Sequence, residues 1–238
     1  MHEDDDRQYC LRLMHEDKMN VTAVTEDPLT ARRRSVLCFY SKSADKYPGT
    51  GAGETLHPDD LEKLEALNRI SNWRRMLSNF HSHPFELDGM WWDSVEHYYQ
   101  GSKFTQHPEF RALFSLDSKS DICEDPILAK AAGGKTGKSK GRRLRPLNIS
   151  CDEDFFSSGR SVSEMDFFSS GRSVSEMDFF SSGRSVSEMR RAQEAKFSKP
   201  SMKRMLLLTG DCVLNHFVGR SAGTVTVYSL MEIRDALA

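Results

Sequence analysis

The chain lacks any uninterrupted apolar run near the ~18 residues a membrane helix requires. Its N-terminus, MHEDDDRQYC, also lacks the basic-then-apolar order of a secretory leader. The expectation from these two absences is an intracellular protein, cytoplasmic or nuclear, with no membrane contact. Cysteine is sparse. Cys10, Cys38, Cys123, Cys151 and Cys212 are odd in number, scattered and without a CxxC pair. That argues against a disulfide framework and a zinc site, and for a reducing compartment. An excess of one charge is missing too. With 33 Lys and Arg against 35 Asp and Glu the net charge is −2, so any nucleic-acid contact must come from a local patch. The 238 residues suffice for one domain with a sizeable core plus a tail.

What is present is unevenly spread. Residues 1–33 mix acids, histidines and a basic run (Arg32, Arg33, Arg34) without periodicity, which predicts a disordered N-terminal tail ahead of one domain over 34–238. Two HED triplets, at His2 and His15, are read as solvated segments rather than metal sites. Ser35–Tyr40, SVLCFY, predicts a strand, followed by the glycine-rich GTGAGE segment. Those glycines are either a phosphate cradle or an ordinary loop, because a lone GxGxG with no helix directly after it is a weak signal. Leu61, Leu64, Leu67 and Ile70 fall near helical spacing behind a cap at Asp59 or Asp60. Asp88-Gly89 between Phe85–Leu87 and Met90–Trp92 predicts a hairpin turn. His81 and His83 form an HxH pair without a third ligand at a recognised spacing, so no metal is assigned.

The stretch Leu77–Phe104, LSNFHSHPFELDGMWWDSVEHYYQGSKF, is the most aromatic part of the chain. A helix is expected from Asp93 or Ser94. On it Glu96, Gln100 and Lys103 recur at i, i+4 and i+7, forming one polar stripe. On spacing alone Glu96 is either a capping-box glutamate reaching back to Asp93 or a working carboxylate. Helices are also expected over 107–116 and 125–132, the second with Asp125 capping and Pro126 first. The basic segment GGKTGKSKGRRLRP at 133–146 is not a P-loop, since Ala132 stands where the first glycine would be. It is expected as a flexible basic loop, either solvated or closing over phosphates. A perfect twelve-residue repeat, DFFSSGRSVSEM, occurs three times over Asp154–Met165, Asp166–Met177 and Asp178–Met189. Its strict identity reads as tandem duplication, with one copy belonging to the domain and two looped out. Helices over 188–199 and 201–209, two strands around Gly219–Gly223, and a closing helix complete the expectation.

Several of these pieces stand in an order that resembles the NADAR, or YbiA-like, family. They are LSNF, PF, DG, SVEHYYQ and KF, then DPILAKAAGGKTGK, DFF–GR–EM–AQ–AKF, LLLTGD and LMEIR. FYSKS–PG–GE ahead of them is similar to a longer form of that family, so the resemblance spans roughly Ser35 to Leu237. It implies a predominantly helical α+β domain that hydrolyses N-glycosidic bonds without metal or cofactor. The implied substrate is ADP-ribosylated guanine in nucleic acid, or else a phosphorylated small-molecule N-glycoside of riboflavin biosynthesis. A catalytically idle ADP-ribose-binding module is the remaining alternative. By the same matching Glu96 and Lys103 would be catalytic. Asn79, Phe80, Trp92, His97, Tyr98, Gln100, Lys130 and Arg145 would contact substrate, with Trp92 and Tyr98 among the aromatics stacking on a base. Arg142, Arg143 and Arg145 are either phosphate-gripping forks or solvated side chains. The chain departs from the short family form near its end, where NHFVGRSAG places Asn215, His216 and Arg220 instead of an aspartate and a Trp-Gly pair.

Overall fold

The computed structural model describes residues 34–156, 184–219 and 223–238. The expected tail at 1–33, the middle of the repeat with Arg160 and Arg172, and Arg220 lie outside them. In chain order the elements are β1 (Val36–Phe39), α1 (Leu61–Asn68), α2 (Trp73–Leu77), β2 (Phe85–Leu87), β3 (Met90–Trp92), α3 (Val95–Gly101), α4 (Pro108–Ala112), α5 (Asp121–Glu124) and α6 (Pro126–Gly133). They continue with β4 (Lys138–Ser139), β5 (Arg142–Arg143), α7 (Arg184–Phe197), α8 (Pro200–Leu207), β6 (Val213–Gly219), β7 (Gly223–Thr226) and α9 (Tyr228–Leu237). The fold class is α+β, predominantly helical with short strands. Among the described residues no helix is long and apolar enough to cross a membrane.

These elements group into two compact units. One comprises the residues up to Ser78 together with Phe197 onward. Its sheet runs β1-β6-β7, with β1 parallel to β6 from the Val36–Val213 pair and β6 antiparallel to β7. Strand β1 is buried along nearly its whole length, as its unbroken VLCF run requires. Leu64 and Leu67 of α1, Met202, Met205 and Leu206 of α8, and Leu230 and Ile233 of α9 recur at three- and four-residue spacing. They join Leu37, Phe39, Trp73 and Leu214 in one core. The start of α1 differs from expectation. A 3₁₀ turn, Pro58–Asp60, precedes it, and His57 caps that turn by accepting from the Asp59 N–H. Asp60 makes no side-chain cap bond to α1.

The glycine-rich loop of this unit already cradles an anion, and the anion is internal. The Glu54 carboxylate accepts from the N–H groups of Cys38 (3.0 Å), Gly49 (2.9 Å) and Gly51 (2.9 Å), and from Arg74 at Nε (2.8 Å) and Nη2 (2.7 Å). A Cβ at Gly51 would run into that carboxylate. Arg74 places its remaining donors on the Lys46 and Tyr47 carbonyls. The N–H groups of Gly49 and Gly51 are therefore occupied, which removes the phosphate-cradle alternative.

The second unit, Asn79–Lys196, holds the aromatic stretch. Strands β2 and β3 pair through Phe85–Trp92 and turn at Asp88 (φ 54°) and Gly89 (φ 71°), the two positive-φ positions of a type I′ hairpin. The Trp92 indole donates to the Leu87 carbonyl at 2.9 Å. Phe104, Phe110 and Phe114 pack ring against ring. Helix α6 starts as expected, Asp125 accepting from the Ile127 N–H at 2.8 Å with Pro126 first. The basic segment is not the flexible loop anticipated. It forms a small hairpin, β4 against β5, because Lys140 and Gly141 supply a second pair of positive-φ turn residues.

The repeat contributes through two different copies. From the first, Asp154 and Phe155 lie in a 3₁₀ turn, and Phe155 packs edge-on against Tyr99. From the third, Arg184–Met189 open α7. Arg184 pairs with Asp152 at 2.7 Å and Asp154 at 3.1 Å, and its guanidinium lies over the Phe155 ring. The start of copy one and the end of copy three thus compose one unit. Removing any two copies leaves the same sequence, in which Ser-Ser-Gly links Phe156 to the arginine. The Arg184–Asp154 contact keeps the two ends within side-chain reach, a gap three residues at roughly 3.5 Å each can bridge. Deleting Asp166–Met189 is expected to preserve the circular dichroism spectrum and the melting temperature within a few degrees. A large drop on melting would show that the surplus copies are integral.

Candidate functional site

All ten residues expected at a site lie in the second unit. Helix α3 is buried at every position, so its polar stripe faces protein. The helix begins at Val95 with Ser94 as N-cap, one residue later than the capping-box reading needs. That places Glu96 second and His97 third in the helix. Ser94 makes no side-chain cap bond to the helix backbone; its Oγ meets the His97 Nδ1 at 2.8 Å instead. Burial holds the His97 imidazole below the usual histidine pKa, while Asp93, the Ile122 backbone and Asp125 pull it upward.

Glu96 is 0% exposed and Gln100 1%. The Gln100 Nε2 donates to Glu96 Oε1 at 2.8 Å, and the Glu96 N–H donates to the Asn79 carbonyl at 3.0 Å. The Asn79 side chain is held in turn by α7. Its Nδ2 donates to the Met189 sulfur at 3.3 Å, and its Oδ1 accepts from Gln193 Nε2 at 3.2 Å. Glu96, Asn79, Gln100 and Gln193 make one connected polar group around a buried carboxylate.

Lys103, 4% exposed, ends the stripe. The chain tightens to a 3₁₀ turn over Ser102–Phe104, which advances roughly 20° more per residue than an α-helix. The Lys103 ammonium donates to the Gly133 carbonyl at 3.2 Å and lies over the rings of Tyr99, Phe155 and Phe156 at 5.1–5.8 Å. There it satisfies the C-terminal end of α6, a favourable place for a cation. Gly133 presses against Gln100 so closely that a Cβ at 133 would land on Gln100 Oε1. Gly133→Ala is accordingly expected to cost about 1–3 kcal/mol. A melt checks this, with Ala132→Gly, which opens space instead, as the contrasting variant.

Other expected site residues divide. Lys130 and Phe80 meet, the ammonium 5.8 Å from the ring centroid, and both are partly exposed. Trp92 and Tyr98 are fully buried and pack edge-to-face on each other. The Tyr98 hydroxyl lies against Asp88 and Glu188 and accepts from Arg191 at 2.8 Å. Burial, then the Glu188 and Asp88 carboxylates, drive its pKa far above the usual value. Neither presents a ring face to solvent, and the hydroxyl belongs to an ion-pair cluster. Arg145 binds the Ala132 and Lys135 carbonyls at 3.2 and 3.1 Å, closing the end of α6. Arg142 pairs with Asp121 on the surface, and Arg143 is exposed.

Two buried polar residues of this unit escaped the sequence reading. Gln193 and Lys196 lie on the buried face of α7 with Met189 and Ala192, at the i, i+3, i+4, i+7 spacing of EMRRAQEAKF. That spacing was the available signal, masked by the charged residues between. Burial brings the Lys196 ammonium down to about 7. Burial, with Lys196 and His83 nearby, brings His81 to about 4. Among the described residues no group of three or more His, Cys, Asp or Glu side chains is placed to hold a metal ion.

No family model matches the chain. No curated protein matches it either. Among solved structures it is similar to the NMR structure of the E. coli protein YbiA, with 18% identity over 92% of each chain and a TM-score of 0.47.

Proposed function

We propose that the chain is an N-glycoside hydrolase acting on an ADP-ribosyl compound, in the first instance ADP-ribosylated guanine in nucleic acid. The observation that carries this reading is a fully buried carboxylate, Glu96, held by the Gln100 side-chain amide on the helix bearing the SVEHYYQ motif. The motif order that resembles the NADAR family supplies the substrate class. In the proposed reaction water attacks the anomeric carbon and gives its proton to Glu96. The carbon–nitrogen bond breaks, its electron pair goes to the base nitrogen, and that nitrogen is protonated as the base departs. Glu96 also faces the positive charge that develops on the sugar. Lys103 is assigned a supporting charge near the leaving group or phosphate.

Glu96 is fully enclosed, so substrate reaches it only by displacing a neighbouring side chain. That enclosure favours, as the second reading, an ADP-ribose-binding module that does not turn over. Incubation with ADP-ribosylated guanine DNA and with phosphorylated riboflavin-pathway N-glycosides, beside Glu96→Gln, separates the readings. Release of unmodified guanine, lost in the variant, supports the first. Cleavage of the pathway compounds alone moves the substrate class. Binding without turnover supports the module.

A further inference from the structure

Two buried amide oxygens have no donor among the described residues: Gln100 Oε1, on the side chain that binds Glu96, and Gln193 Oε1, on the side chain that binds Asn79. Gln193 is 2% exposed, as enclosed as Gln100. The orientation of both amides follows from neighbours that can only accept. Gln100 must turn its NH₂ to the Glu96 carboxylate, which leaves its oxygen packed against Gly133. The Met189 thioether likewise takes the Asn79 NH₂. Asn79 therefore offers its oxygen to Gln193, whose NH₂ is then committed and whose own oxygen is left over. A buried acceptor without a donor is costly and calls for a partner.

We infer that Gln193 is a specificity-determining residue whose side-chain oxygen accepts the ribosyl hydroxyl adjacent to the anomeric carbon. This rests on the ADP-ribosyl reading of the site given above. An unpartnered acceptor suits an O–H donor of a ligand and suits poorly a phosphate, which would meet only a lone pair. The hydroxyl next to the reacting carbon is also where hydrogen bonding strengthens as a glycosidic bond breaks.

The test is a calorimetric titration of the full chain with two probes, ADP-ribose and its analogue whose distal ribose lacks that hydroxyl. Wild type is expected to bind the analogue about tenfold or more weakly. In Gln193→Met, near in shape but without an acceptor, the two probes are expected to bind alike. In Gln193→Glu, which keeps acceptors, the preference is expected to persist; this variant also serves if the methionine chain melts before assay. Equal binding of both probes to wild type overturns the inference, as does a preference surviving in Gln193→Met. No ADP-ribose binding by folded wild type overturns it too, and shows the acceptor is satisfied by buried water alone. The hydrolase reading fails separately. A Gln193-dependent preference without cleavage of any substrate keeps this inference and removes the hydrolysis, whereas cleavage with no hydroxyl preference does the reverse.

Discussion

Replacing Arg74 by methionine is expected to destabilise the fold by about 3–5 kcal/mol, the usual cost of stranding one charge of a buried pair. For a chain of this size that lowers the melting temperature by roughly 6–20 °C. Glu54 and Arg74 are 0% and 4% exposed in their side chains and meet at 2.7 Å, so neither recovers water when the other is removed. The loss differs from that of a surface ion pair, worth ~0–1 kcal/mol. It also carries a pH signature. Burial raises the Glu54 pKa, but Arg74 and the N–H groups of Cys38 and Gly51 outweigh it, leaving the carboxyl below its ordinary value. A carboxylate depressed in the folded state stabilises above its unfolded pKa, and that contribution disappears as pH falls through the folded value. Wild type should therefore lose stability as pH falls below the ordinary carboxylate range, while Arg74→Met, without the ion that depresses Glu54, should lose less over the same range, so that the gap between the two narrows in acid. Melts across pH 3–7 read both effects, and superimposable curves would sink the account.

Glu96→Gln is expected to lower the rate of N-glycoside cleavage by about 10²–10⁴-fold, the range for removing a positioned general base. The fold should survive this change. Gln100 Nε2 can donate to an amide oxygen as it does to the carboxylate, and the Glu96 backbone bond to Asn79 is untouched. Single-turnover cleavage beside an ADP-ribose titration distinguishes the outcomes. Loss of rate with affinity kept assigns Glu96 to the chemistry. Equal turnover in both proteins would remove it from the mechanism.

The parts legible in the sequence were those set by neighbours along the chain. The DG hairpin followed from two positive-φ positions, α6 from Asp125-Pro126, and the core helices from leucine and methionine spacing. The Glu96–Gln100 contact followed from i, i+4 geometry. Less legible was whatever depends on a distant partner. Lys103 was read on the stripe, but the Gly133 carbonyl that its ammonium binds is thirty residues away and had no local sign. Tyr98 reads as a pocket aromatic until Asp88, Glu188 and Arg191 claim its hydroxyl. Gln193 lay hidden in a charged helix because its partner, Asn79, is more than a hundred residues earlier.

The repeat marks the division between the two kinds of information most clearly. By itself the sequence determined that three identical segments exist. Identical residues have identical propensities, so no local argument can rank the copies. Long-range contacts decided it. Phe155 of the first copy packs on Tyr99, Arg184 of the third pairs with Asp152, and Met189 of the third reaches Asn79. The tertiary structure takes the start of one copy and the end of another because burial and ion pairing act through space, without regard to which duplicate supplies the side chain.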